Sequence, residues 1–276
     1  MDGAFGNILN FINMAVLASA PLLLATLGEI LTEKSGNLNL GVEGMMFMGA
    51  IASLGAAYGY EQAVTAAGAV PSALVATLVA TVSAAAAGAL GALIYAFLVI
   101  TLRANQNVTG LTLTIFGTGF ANFFGELIGK QAGGFVQVST ATKAMFANLN
   151  LGPLSTLPVL GQLLFNYNWM VYFALAVMGA MAYFLSKTRR GLNLRAVGEN
   201  PATADAAGVN VARYKYVATV VGGALCGLGG MYISMSPTSC AGVWVHDCVS
   251  GYGWLAVALV IFATWSPTLA LLCGLV

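Results

Sequence analysis

Residues 63–102 read AVTAAGAVPSALVATLVATVSAAAAGALGALIYAFLVITL, a stretch of forty residues without one charged side chain. The hydrocarbon core of a bilayer is about 30 Å thick and takes about 20 apolar residues per helix. The stretch therefore holds either one long helix that begins near Pro71 or two tightly joined helices. The 276-residue chain as a whole is 59% hydrophobic and 7% charged, whereas soluble domains are roughly 45–50% apolar and 25% charged. The composition predicts an all-α integral membrane protein.

Six further apolar runs are long enough to form, or to begin, a membrane helix. They are Ile8–Ile30, Val42–Tyr60, Val108–Ile128, Tyr167–Leu185, Tyr216–Met235 and a run from Trp254 that Ser266-Pro267 interrupts. We expect one polytopic helix bundle over residues 1–276, with about seven to nine transmembrane segments. Small residues four apart, at Gly88 and Ala92 and at Gly223 and Gly227, predict close helix–helix packing.

Charge is concentrated in one polar segment, Lys187–Lys215, which reads KTRRGLNLRAVGENPATADAAGVNVARYK and holds six of the ten Lys and Arg residues. Basic loops stay on the cytoplasmic side of a membrane, which predicts a cytoplasmic loop over residues 187–215. Residues 131–166 are then an external loop, and Gly133-Gly134, Pro153 and Pro158 favour irregular structure there. The N-terminus lies outside if residues 63–102 form one span and inside if they form two. We expect it inside.

The cytoplasmic loop carries the start and stop residues of a short helix. Asn200 is a favourable N-cap, Pro201 suits the first helical position, and Gly208 provides a left-handed residue that ends the helix. The pattern predicts a helix of about two turns, isolated between Gly198 and Gly208. Because so short a helix is marginal in water, we expect it to dock on another surface.

Polar residues beside or inside the apolar runs are candidates for a solute pathway. Asn37, Asn39 and Glu43 adjoin the second run, and an acid at membrane depth is expensive enough to suggest a function. The alternative for Glu43 is an interfacial cap that reaches lipid headgroups. Asn105 and Asn107 fit a turn that joins two helices and is satisfied by its own amides.

Asn122 could line a hydrogen-bonding cavity together with Thr109 and Thr112, although threonines in membrane helices often bond only backbone carbonyls. Phenylalanines near it could stack on an aromatic solute, but a lipid-facing stripe explains them better. The tentative pathway therefore comprises three groups of residues. These are Asn37, Asn39 and Glu43; Asn105 and Asn107; and Asn122.

Several activities are excluded by what the sequence lacks. It has no GxxxxGK[ST] motif for ATP hydrolysis, no HExxH or GxSxG motif, and a single histidine. A net charge of +1 provides no basic surface for nucleic acid. Cys240 and Cys248 flank His246-Asp247, where a disulfide or metal site is conceivable, but unpaired cysteines fit the spacing better. We expect no catalytic residue, cofactor or metal, and ion-coupled secondary transport through Glu43 stays an alternative to an ATP-driven system.

Four ordered segments carry a family resemblance: SGNLNLGVEGMMFMGA, LRANQNVTGL, GLNLRAVGENPATADAAGVNV and GGALCGLGG. They resemble the permease subunits of bacterial ABC importers in the superfamily that handles branched-chain amino acids, ribose and simple sugars. The similarity is greatest to the nucleoside-uptake branch and its shorter permease. Members of this superfamily span the bacterial inner membrane. The resemblance covers nearly the whole chain.

The resemblance implies that the short cytoplasmic helix docks in a cleft of an ABC ATPase subunit. That role would fall on Gly198, Asn200, Pro201 and Gly208, with Arg195, Glu199 and Asp205 as polar contacts. It also implies a second homologous permease and an external substrate-binding lipoprotein. The solute would be a small polar molecule such as a nucleoside, with a sugar or vitamin as the alternative. Relatives continue beyond the last apolar run, so we expect that the segment after Pro267 is truncated or re-entrant.

Overall fold

The structure is a computed structural model that describes residues 3–149 and 160–275. The helices in these residues are α1 (Gly3–Glu33), α2 (Val42–Ala66), α3 (Ala73–Ala96), α4 (Gln106–Gln131), α5 (Thr140–Ala144), α6 (Leu160–Leu164), α7 (Trp169–Lys187), α8 (Arg189–Glu199), α9 (Pro201–Ala206), α10 (Val211–Met235), α11 (Tyr252–Phe262) and α12 (Pro267–Leu275). A π-helical turn, Phe97–Thr101, extends α3. Extended pairing in the described residues is limited to an isolated bridge between Gln137 and Val243. The predicted all-α class is confirmed.

Five helical stretches among the described residues are long and apolar enough to cross a bilayer. They are Gly6–Glu33, Ala73–Thr101, Gln106–Gln131, Trp169–Lys187 and Val211–Met235. The chain is therefore a multi-pass membrane protein.

The forty-residue uncharged stretch contributes one of these spans, not two. Helix α2 continues to Ala66, the chain turns at Gly68 and passes Pro71, and α3 begins at Ala73. Gly68 has a left-handed backbone, and Pro71 has no N–H to offer a continuing helix, so the first ten residues of the stretch end one helix and separate it from the next. Of the two alternatives, one helix starting near Pro71 is correct, and the two-helix alternative, which the expected inside N-terminus required, is wrong.

Helix α10 is the centre of the bundle, packed against α1, α2 and α3. Glycines make this possible, because at each crossing a Cβ atom would collide with the backbone of the facing helix. The crossings pair Gly28 with Gly222, Gly88 with Gly223 and Gly49 with Gly227. The close packing predicted from the small-residue spacing at Gly88 and Gly223 is confirmed.

The end of the bundle that carries residues 187–215 is called the basic end below. At the opposite end, buried Glu61 of α2 holds the loop that follows α4. Its carboxylate accepts hydrogen bonds from the Ser139 amide and hydroxyl, both at 2.8 Å, and from the Thr142 hydroxyl at 2.5 Å. Within this loop the described residues form only short helices, α5 and α6. Pro153 and Pro158 lie outside the described residues.

All four cysteines are free thiols. Cys240 and Cys248 lie between α10 and α11 and neighbour each other. A hydrogen bond from Cys248 lowers the pKa of the Cys240 thiol, while the neighbouring Cys240 and burial raise the pKa of Cys248. The described residues contain no cluster of His, Cys, Asp and Glu suited to a metal ion.

Candidate functional site

The basic end carries two consecutive short helices, α8 and α9, joined at Asn200. The Asn200 side chain accepts a hydrogen bond from the Thr203 amide at 3.1 Å, Pro201 occupies the first turn of α9, and Gly208 has φ of 80°. The predicted helix is therefore present with the predicted capping residues. It is not isolated between Gly198 and Gly208, however, because Gly198 lies inside the last turn of α8. Apolar residues of α8 pack on the bundle, and this contact is invisible in the local sequence pattern.

The charged residues expected to act together on this loop face different surroundings. Glu199 and Asp205 are exposed. Arg195 is half-buried and lines a cleft of about 350 Å³ with Lys34 and the turn between α11 and α12. Its Nε atom is buried without a hydrogen-bond partner. The structure therefore presents Glu199 and Asp205 to solvent and directs Arg195 inward.

Helix α8 contacts the start of the α1–α2 connection backbone to backbone. A Cβ atom on Gly198 would collide with the Lys34 carbonyl oxygen and lie 3.1 Å from the Gly36 nitrogen. Gly36 has φ of 86°, and a Cβ there would lie 3.2 Å from the Gly198 Cα. Two glycines thus bring α8 of the basic loop and the start of the α1–α2 connection into direct contact.

Residues 37–41, which follow this contact, form a connection between α1 and α2 that is neither helix nor strand, and Asn37, Asn39 and Gly41 are buried in it; we call it the α1–α2 break. Its backbone is satisfied by side chains from other helices, as buried backbone requires. The Leu38 amide donates to Gln106 Oε1 at 2.7 Å, and the Leu38 carbonyl accepts from Tyr95 at 2.5 Å. The Leu40 carbonyl accepts from the Thr114 hydroxyl at 2.9 Å. The break is therefore built into the surrounding helices.

Of the predicted pathway residues, three belong to the break or adjoin it, and all three are buried. The Asn37 side-chain amide donates to the Thr219 hydroxyl at 3.1 Å, and the side-chain Oδ1 of Asn37 has no partner. The Asn39 side-chain Oδ1 accepts from the Gly41 amide at 2.9 Å. Glu43 accepts from the Gly251 amide at 3.1 Å, and its other oxygen has no partner. The alternative that Glu43 reaches lipid headgroups is wrong.

Two further acids near the break were not identified from the sequence. Glu29 is fully buried; one carboxylate oxygen accepts from the Asn39 amide at 2.9 Å and the other has no partner. Glu33, one turn later, accepts from the Trp265 indole N–H. Their spacing of four residues places both on one helix face. In the sequence they only resemble the polar end of an apolar run.

A cavity of about 840 Å³ joins the break to the basic loop. Asn37 and Gln106 line it from the bundle, Asp205 and Pro201 line it from α9 and its surroundings, and Lys215 lines it from α10. Its polar groups are amides and charges that can donate and accept hydrogen bonds. Such a lining suits a hydroxyl-rich polar molecule.

The other predicted pathway residues lie apart from this cavity. Asn105 caps α4 by accepting from the Val108 amide at 3.1 Å, and both it and Asn107 are exposed, so the turn interpretation is confirmed for Asn105. Asn122 donates to Asp247 at 2.8 Å, far along α4 towards the opposite end. The structure therefore does not bring the six predicted residues together.

The threonines of α4 bond backbone carbonyls and its phenylalanines face outward, as the alternatives to a solute-lining role predicted. Thr109 and Thr112 donate to carbonyls of their own helix at 2.8 Å. Phe116 and Phe123 are 50% and 63% exposed, as a lipid-facing stripe would be.

Comparison with known proteins gives this architecture a family. The model of the family described as "Branched-chain amino acid transport system / permease component" matches residues 10–276. No solved structure matches the chain.

Curated relatives agree with the family model. A protein of Haloferax volcanii, provisionally named a glucose ABC transporter permease protein, is 36% identical over 93% of this chain and 71% of its own length. The guanosine ABC transporter permease protein of Bacillus subtilis is 34% identical over 96% of this chain and 78% of its own. A nucleoside ABC transporter permease protein of Lactococcus lactis is 30% identical over 98% and 81%.

These matches cover the whole bundle and the basic loop, and they fit the lack of an ATP-binding motif in the sequence. The chain belongs to this family of ABC transporter permeases and is a transport subunit rather than an enzyme, with ATP hydrolysis on a separate ATPase.

Proposed function

We propose that the chain is the membrane-spanning subunit of an ATP-driven importer for a nucleoside or a simple sugar, in the inner membrane. The names of the relatives support both solute classes, because two are named for guanosine or nucleosides and one provisionally for glucose. The lining of the 840 Å³ cavity supports hydroxyl-bearing solutes, which both classes are. Its lining residues include no aromatic side chain, so recognition there would depend on hydrogen bonds.

The observation that carries the proposal is the position of α9. It lies exposed at the basic end, while α8, to which it is joined through Asn200, contacts Lys34 and Gly36, just before the α1–α2 break, through Gly198. A force applied to α9 by an ATPase is thereby passed to buried, polar backbone. We propose that Glu199 and Asp205 contact the ATPase and that Arg195 supports α8 from inside.

The orientation of the bundle follows from this assignment. With the basic end in the cytoplasm, the strict alternation of α1, α2, α3, α4, α7 and α10 places the N-terminus outside, opposite to the side first expected. The five long apolar spans together with α2 make six crossings in this proposal, and α11, with eleven residues, rises only about 16 Å and enters the bilayer without crossing it. Residues 131–166 then form an external loop.

The remaining partners of such an importer are a second homologous permease and an external substrate-binding lipoprotein. Closure of paired ATPase subunits would move α9 and reorient the cavity by alternating access, without covalent chemistry. Solute delivered from outside would leave through the cavity that Asn37 and Asp205 line.

The proposal is tested by reconstituting the permease, with its ATPase and second permease, in liposomes with ATP at the ATPase side. Uptake of labelled guanosine and labelled glucose is measured with the binding lipoprotein present. We expect uptake of one of them to require ATP, and Glu199→Lys, at an exposed position that does not line the 840 Å³ cavity, to lower ATPase retention on the permease at least tenfold. Glu126→Lys, the same charge change at an exposed position at the opposite end, should retain it. Uptake that persists without the ATPase, or equal ATPase retention by both variants, would overturn the proposal.

A further inference from the structure

An apolar groove of about 460 Å³ lies between α7 and α10 at the basic end. Ala180 and Phe184 form one wall and Val217 and Leu225 the other, with Leu31 of α1 and Leu194 of α8 closing it. Val217 and Val221 are 55% and 45% exposed, so the groove opens sideways along the surface of the bundle. It is shaped to take an apolar chain that enters from the lipid.

A basic cleft of about 590 Å³ adjoins the groove. Arg190, Tyr214 and Val217 line both, so the two form one continuous site. Arg213, Asn193 and residues 207–210 line the rest of the cleft, and Asn193 donates to the Tyr214 hydroxyl at 3.2 Å. Neither arginine forms an ion pair with any carboxylate in the part of the chain that the structure describes. The cleft therefore holds two uncompensated guanidinium groups beside hydroxyl and amide groups.

The length of the groove matches one leaflet of a bilayer. From Tyr214 to Leu225 the chain advances eleven helical residues, which rise about 16 Å. Half of a hydrocarbon core of about 30 Å is about 15 Å. A molecule held in both parts has an anionic head at the membrane surface and an apolar tail one leaflet long.

We propose that this continuous site binds one anionic phospholipid of the leaflet at the basic end. An acyl chain lies in the groove, and the phosphate lies between Arg190 and Arg213. Basic pockets between membrane helices bind anionic headgroups in this way, and arginine pairs with phosphate through two parallel hydrogen bonds. An acidic lipid without a cationic head is favoured because nothing in the cleft offsets the two positive charges. The proposal requires only that the chain spans a bilayer, so it stands independently of the solute.

The test uses the complete permease in nanodiscs that contain equal amounts of phosphatidylglycerol and phosphatidylcholine. Native mass spectrometry after release into mild detergent measures which lipids stay bound. We expect one phosphatidylglycerol to be retained in preference to phosphatidylcholine. The double variant Arg190→Gln with Arg213→Gln should lower that retention at least tenfold, while Arg189→Gln, an exposed arginine that lines neither part, should leave it unchanged.

The apolar part is tested separately. Val217→Trp fills the groove without changing charge, and we expect it to lower phosphatidylglycerol retention as well. A photoreactive side chain at position 221 should form a covalent adduct with lipid. Equal retention of both lipids, equal losses in the Arg189→Gln control and the double variant, or an adduct with a protein subunit instead of lipid would overturn the proposal.

Discussion

Substitution of Gly198 by alanine should uncouple ATP hydrolysis from transport, because it places a methyl group between α8 and the α1–α2 connection. The new Cβ would collide with the Lys34 carbonyl oxygen and lie 3.0 Å from its carbon and 3.1 Å from the Gly36 nitrogen. The obstructing atoms are backbone and cannot rotate away, so α8 must move outward. The contact through which we propose that force passes would then be lost.

The effect of Gly198→Ala on folding stability is the sum of two opposing contributions. Overpacking of this kind costs about 1–3 kcal/mol, and replacing a helical glycine by alanine regains about 1 kcal/mol. The net loss of stability is therefore at most about 2 kcal/mol, and the variant should fold. Loss of a coupling free energy of 1–3 kcal/mol corresponds to a change of roughly 5–150-fold. We expect solute taken up per ATP hydrolysed to fall at least fivefold in liposomes.

Two control variants separate coupling from stability. Gly179→Ala makes the same change in α7, where nothing lies within 4 Å of the new Cβ, and should raise the melting temperature slightly. Gly191→Ala drives a Cβ into the Phe184 carbonyl and should destabilise α8 without touching Gly36. If Gly198→Ala keeps the wild-type ratio of uptake to hydrolysis, or if Gly191→Ala lowers that ratio equally, the reasoning is refuted.

Three further outcomes are expected. Glu61→Gln should destabilise the protein by about 1–3 kcal/mol in thermal denaturation. The glutamine NH2 group would replace one carboxylate oxygen, so the Ser139 amide or hydroxyl that donates to that oxygen would face another donor. Gly49→Ala should cost a similar 1–3 kcal/mol, since its Cβ would collide with the backbone of α10. Cys248→Ala should raise the pKa of Cys240, so less thiolate is present at pH 7–8 and alkylation of Cys240 slows.

Each of these outcomes has a matched control. Glu126→Gln removes an exposed carboxylate with a 3.9 Å contact to Lys130, and its effect should stay within about 1 kcal/mol. Gly59→Ala lies in the same helix as Gly49 with open space around it and should be neutral or stabilising. Alkylation of Cys273 should be the same with and without Cys248. Equal effects at both members of any pair would contradict the corresponding contact.

The local features of the basic loop were predictable because they depend on neighbours in sequence. Asn200, Pro201 and Gly208 cap and end α9 through contacts within four residues. Helix α8 was missed because its mean composition is polar, and it is held by packing against distant parts of the chain such as Lys34. The spacing of apolar residues along the sequence does not predict contacts with distant parts of the chain.

The candidate site was predictable only in part for the same reason. Asn37, Asn39 and Glu43 stood out as polar groups next to an apolar run, and all three are buried. Asn122 stood out equally, yet its partner, Asp247, comes from a loop 125 residues later and draws it to the opposite end. Glu29 did not stand out, because its role depends on backbone that reaches it only after folding.

The α1–α2 break has a mechanical consequence. Four backbone hydrogen bonds of residues 37–41 end on side chains of three helices, at Glu29 of α1, Tyr95 of α3, and Gln106 and Thr114 of α4. Sliding these helices past one another would break these bonds, and loss of the fully buried bond between Glu29 and the Asn39 amide would alone cost about 1–3 kcal/mol. We therefore expect α1, α3 and α4 to move as one rigid body, with the transport cycle opening and closing gaps at its borders.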